Sequence, residues 1–203
     1  MIARNRHTKS VKKRAVAANR SRRPLRAEPL ESRIVLDSTV VFNEIMYHPA
    51  GGADDTLEWI ELHNQMAVDM DISNWSLDGG VQFQFPEGTA ISGHDYLVVA
   101  INPTTLKSTA GVNDALGPFV GNLGNSGEEL RLLNNDGRQM NVVDYNDTGD
   151  WPSGADGGGV SLAKINEATN SELAVNWTIS PQQGGTPGAT NFEADPDPVT
   201  LTF

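Results

Sequence analysis

From Ser38 onward the chain breaks into short runs of β-branched, aromatic and aliphatic residues, and no long stretch sustains a 3.6-residue period. The runs are "TVVFNEIMY", "LEWIELHN", "WSLDGGVQFQF", "DYLVVAI", "EELRLLN", "GRQMNVVDYN", "GVSLAKI" and "NWTI". Between them stand turn clusters, "HPAGG", "PEGT", "NNDG", "SGADGGG" and "GGTPG". Glycine supplies positive φ and proline a fixed φ, so each cluster reverses the chain and the runs must pair as strands. Strands at this spacing, almost without helix, fold as an all-β sandwich or barrel. "WSLDGGVQFQF" reads as a hairpin around Gly79–Gly80, and "NPTTLKSTAGVNDALGP" holds at most one helical turn.

Charge divides the chain. Ten of its fifteen Lys and Arg lie within the first 26 residues. From Asp37 onward four basic residues stand against 24 acidic ones, a formal charge of −20. Residues 1–37 are expected to form a disordered basic leader, residues 38–192 a β-sandwich domain, and residues 193–203 an acidic, Pro-rich linker or the start of a further module. The body should repel nucleic acid and anionic lipid, and its field favours cations. The leader run "KKRAVAANRSRR" resembles a bipartite nuclear import signal or a nucleic-acid-binding tail, but no aromatic residue interleaves its arginines to stack on bases. There is no cysteine, which excludes disulfides, thiolate metal sites and a Cys nucleophile. No apolar run is long enough for a transmembrane helix or an ordinary signal peptide.

The chemistry-bearing residues crowd into "MYHPAGGADDTLEWIELHN". His48 and His63 are fifteen residues apart, without the i, i+4 spacing of a helical zinc site, and are expected at the wet rim. In "LEWIELHN" alternation places Trp59, Glu61 and His63 on one face and Glu58, Ile60 and Leu62 on the other. Neither face is purely apolar, so the strand's middle is buried with its ends protruding, or a bulge re-aims a residue. Trp59, Ile60 and Leu62 are expected to supply core. A glutamate in a buried strand needs a partner, and with so few cations the candidates are backbone N–H groups or Ca²⁺. The candidate ligands are Glu44, Asp54, Asp55, Glu58 and Glu61. An EF-hand loop, a Gly-x-Ser-x-Gly elbow and a Walker loop are all absent, and no acid–base set has catalytic spacing.

Ten segments in order resemble the lamin-tail domain, an immunoglobulin-like β-sandwich found in many bacterial extracellular proteins. They include "VVFNEIMYHPAG", "LEWIELHN", "ISNWSLDGG", "LGNSGEELRLLN", "VVDYNDTGDWP" and "GTPGATN", and together they cover nearly all of residues 39–191. The resemblance implies structural roles for Trp59, Trp75, Trp151, Trp177 and the turn at Thr186, Pro187 and Gly188. Within the leader, "AEPLESRIVLDS" resembles the Leu-Glu-Pro-Arg-type (LEPR-XLL) motif near the N-terminus of large planctomycete surface proteins, with Ser32 where that motif has proline. It implies export or surface attachment. The resulting expectation is a non-catalytic extracellular or cell-surface module for protein or glycan interaction or scaffolding. A Ca²⁺-stabilised binding module is the alternative, and nucleic-acid binding through the leader is a further one.

Overall fold

A computed structural model describes residues 39–193. The leader, with its export and nucleic-acid motifs, and the tail from residue 194 lie outside the described residues, as do the side chains of Asp54 and Asp55.

Twelve strands and two short α-helices follow one another along the described chain. The strands β1 (Val40–Met46), β2 (Trp59–Asn64), β7 (Tyr96–Ala100), β11 (Leu162–Lys164) and β12 (Trp177–Ile179) form one sheet, in the order β12-β11-β1-β2-β7. A second sheet runs β10-β9-β4-β5-β8, built from β4 (Ser76–Gly79), β5 (Val81–Gln84), β8 (Val120–Gly121), β9 (Gly127–Leu133) and β10 (Gln139–Asn146). Short β3 (Met70–Asp71) and β6 (Ala90–Ile91) pair separately. Every strand pair is antiparallel, and the fold is an immunoglobulin-like β-sandwich. The hairpin at Gly79–Gly80 forms as the turn residues require, with Leu77 opposite Phe83.

The core lies between the two sheets. Phe42, Ile60 and Leu62 from the first sheet meet Leu77, Leu130 and Val143 from the second, all essentially inaccessible. Fully burying each such side chain is worth about 1.5–3 kcal/mol. The register of β1 slips between Phe42 and Glu44, so Asn43 is the extra residue of a bulge. The slip changes parity: Phe42 faces the core, and the next inward residue is Ile45, three positions on. The Phe42 N–H donates across the sandwich to Asn141 Oδ1 of β10, 3.0 Å away, so this backbone donor is satisfied.

The outer face of the first sheet is also covered. Helix α1 (Asp54–Leu57) is a single turn, and α2 (Pro103–Ala110) makes two, longer than the one turn expected. Asn102 caps α2 by accepting the Thr105 N–H at 3.0 Å, Pro103 opens it, and Gly111 closes it in the left-handed region at φ 75°. Its Leu106 packs on Met46, Trp59, Val98 and Ala100. Both faces of β2 are therefore buried, and its ends do not protrude. Ile60 and Leu62 serve the sandwich core, and Trp59 serves this outer cluster.

Candidate functional site

Glu44 and Glu61 are cross-strand partners of β1 and β2 on the outer face. Both are fully buried. Their partners come mainly from residues 184–191, which cross this face as a strap. Glu44 accepts the Thr186 N–H at 2.9 Å and the Thr186 hydroxyl at 2.9 Å, together with the Ser161 hydroxyl. Glu61 accepts the Gly188 N–H at 2.5 Å and Asn43 Nδ2 at 2.8 Å. The turn at Pro187 and Gly188 is closed by the Ala189 N–H on the Thr186 carbonyl at 3.0 Å, with Gly188 at φ 81°. That geometry aims the Gly188 N–H at the carboxyl, and proline followed by glycine is what such a turn requires.

Asn191 fastens the end of the strap. Its Nδ2 donates to the carbonyls of Asn43 and Lys164 at 3.1 and 2.9 Å, and its Oδ1 accepts from Asn43 Nδ2 at 3.2 Å. The bulge thus has a second use, because Asn43 turns toward both Glu61 and Asn191. The donors that reach Glu44 and Glu61 here are amide N–H groups and hydroxyls. Burial raises the pKa of Glu44 above the ordinary carboxylate value, against the lowering effect of its Ser161 and Thr186 hydrogen bonds. Burial raises Glu61 further still, and the neighbouring charges of Glu44 and Glu167 add to it.

The remaining sequence candidates are scattered. Glu58 sits just before β2 and turns the other way, accepting the Leu123 N–H at 2.8 Å. His63 is buried, not at the wet rim, because the loop after β11 covers it. Its Nε2 lies 3.3 Å from Glu167 Oε2, and its ring lies 4.8 Å from that of Tyr96, whose hydroxyl donates to Glu167. Burial lowers the His63 pKa, opposed by the Glu167 charge. His48 is partly exposed, with Nδ1 2.5 Å from Asp156 Oδ1. Among the described residues no three His, Asp or Glu side chains are grouped to hold a metal ion. Glu44 and Glu61 come together, and Glu58 stays apart from them.

The four tryptophans lie in or against the packed interior. Trp75 and Trp177 are in the sandwich core, and the half-buried Trp151 packs on Trp177 with ring centroids 6.2 Å apart. The Trp177 indole N–H is satisfied by the Ser171 carbonyl at 2.8 Å. Trp59 forms the floor of a cavity of about 410 Å³ between α2 and the strap, lined also by Met46, Leu57, Leu106, Gly184 and Gly185.

Sequence reasoning did not find Asn43, Ser161, Glu167 or Asn191. One signal was available: buried acids without cations need donors, and "GGTPGATN" offers a turn N–H, a hydroxyl and an amide within a few residues.

Among the described residues no helix is long and apolar enough to cross a membrane. No curated protein matches the chain. The model of one family, described as Lamin Tail Domain, matches residues 37–147, more than half of the sequence. Strands β11 and β12 and the strap follow that match and complete the first sheet and its outer cover. The chain belongs to the lamin tail domain family, whose members are immunoglobulin-like, non-enzymatic modules.

Proposed function

We propose that the chain is a non-catalytic β-sandwich module that acts outside the cell or on its surface, holding protein or glycan partners or serving as a scaffold. One observation carries the reading. The polar groups that would suggest chemistry are occupied by the fold itself, with Glu44 and Glu61 taken by the strap and Glu58 by the Leu123 N–H. Acids held in this way set a rigid scaffold and leave interaction to the surface. The export-type motif in the leader supports the location, and the body's charge of −20 argues against nucleic acid as its partner.

No ion enters this proposal, because the donors already present are the ones a buried carboxyl needs. The test has two arms. Purified full-length chain should give no hydrolysis of phosphodiester, peptide or glycosidic substrates above blank. On intact cells making the native chain, added protease should degrade it. Turnover abolished by His48→Ala or Asp156→Ala, or full protection of the chain until the cells are lysed, would overturn the proposal.

A further inference from the structure

Exposed apolar side chains are unevenly spread over the described residues. Of the seven large ones, four lie on or beside the β11–β12 pair: Ile165, Leu173, Val175 and Ile179, with Val175 exposed to 76%. Ile165 follows β11, and its N–H donates to the Asn176 carbonyl at 2.8 Å, which puts it beside the start of β12. Leu173 and Val175 line a groove of about 420 Å³ with Asp150. Exposed apolar residues clustered in this way mark a surface that something covers. β12 is also the edge of its sheet, and no described strand pairs with its far side. The Ile165 bond, with that from the Ser180 N–H to the Ser161 carbonyl, fixes the phase of the ladder. Asn176, Thr178 and Ser180 turn their backbone groups toward β11, so Ile179 turns its N–H and C=O to the open edge. An edge strand with neither Lys nor Pro to blunt it is a template for another strand.

We infer that the apolar run Val199–Phe203, which lies outside the described residues, folds back on the open edge of β12 and covers this patch as an added strand. In "VTLTF" alternation places Val199, Leu201 and Phe203 on one face and two threonines on the other, the pattern of a half-buried strand. The run has no charged side chain, so it adds no repulsion against the acidic body. The described chain leaves close by. Phe192 lines a small cleft with Lys164 and Ile165, at the end of β11 that pairs with the start of β12. From there residues 193–198 can span about 19 Å, at about 3.1 Å each in a Pro-rich stretch. Passing from β11 to the far side of β12 takes only two strand spacings, about 10 Å. The short tether gives the run a high effective concentration at its own edge, which favours it over the same run of a second copy.

The test is amide hydrogen exchange on the full-length chain, read at the Ile179 N–H. An added strand protects that group, and a bare edge leaves it to solvent. Replacing Leu201 and Phe203 together by Asp removes the apolar contact and should lower Ile179 protection about tenfold or more. Val99, inside the same sheet, should keep its protection. Val175→Asp, on the patch itself, should lower Ile179 protection as well, and adding it to the tail changes should cost nothing further, because both break one contact. In the unmodified chain the protection should survive about hundredfold dilution, since a tethered contact does not depend on concentration. Ile179 protection equal in the unmodified chain and the tail variant would overturn the inference. So would a loss shared equally by Val99, fully additive losses in the combined variant, or protection that falls on dilution, which would assign the edge to a second copy.

Discussion

Asn43 of the β1 bulge and Asn191 at the end of the strap grip one another through paired side-chain contacts, Nδ2 to Oδ1 at 3.2 and 3.3 Å. The contact joins residues 148 positions apart. It explains why a bulge, which costs a register step, is built into a strand at the centre of a sheet. Without the extra residue, Asn43 would not stand beside Glu61, and the closing segment would lose an anchor.

Removing that anchor should be costly. Asn191→Ala leaves the Asn43 amide and the carbonyls of Asn43 and Lys164 short of a partner in a buried site. Each such group costs about 1–3 kcal/mol. Urea unfolding should show a lower midpoint with an unchanged slope. A loss below about 0.5 kcal/mol, the scale of an ordinary surface substitution, would mean that Asn191 is not an anchor.

Two adjacent glycines separate strain from clash. Gly184 and Gly185 both have positive φ, at 84° and 80°. A Cβ at Gly184 meets nothing within 4 Å, whereas one at Gly185 lies 2.6 Å from the Trp59 ring and 2.9 Å from Glu44 Oε1. Gly184→Ala should cost only the left-handed strain, about 1–2 kcal/mol. Gly185→Ala should cost clearly more in thermal or urea unfolding, because the strap must lift from the sheet. Equal losses would place the strap elsewhere.

Stability should fall as pH rises above the acid range. The folded-state pKa values of Glu44 and Glu61 lie above the ordinary 4.5. The folded chain therefore holds protons that the unfolded chain has released. Their contribution is fully present below the ordinary value and is lost as pH rises through the raised ones. The body's net negative charge acts in the same direction, so the informative quantity is the difference between the unmodified chain and Glu61→Gln at one salt concentration. That difference should change with pH. A constant difference would count against raised carboxyls.

The strand pattern could be read directly because alternation and turn chemistry are local. The hairpin at Gly79–Gly80 and the buried run "DYLVVAI" follow from neighbouring residues alone. The two-faced character of "LEWIELHN" was visible, but its cause was not. It depends on α2 and the strap reaching the same face from residues 103–110 and 184–191, and no local rule specifies that meeting. His63 was misplaced for the same reason, since its cover comes from Glu167, more than a hundred residues away. A bulge is one of the two readings of "LEWIELHN"; the bulge observed lies instead in the neighbouring strand β1, at Asn43, where the sequence reading did not place it.

Thermal unfolding of the full-length chain with millimolar Ca²⁺, and then with a chelator, tests most directly whether the buried acids serve the fold or an ion. A ligand that binds only the folded chain raises the midpoint by mass action. With Glu44 and Glu61 held by the strap and Glu58 by the Leu123 N–H, the account predicts the same midpoint in both conditions. A rise of several degrees in Ca²⁺, reversed by chelator and absent in Glu61→Gln, would contradict it and assign these carboxylates to a metal site.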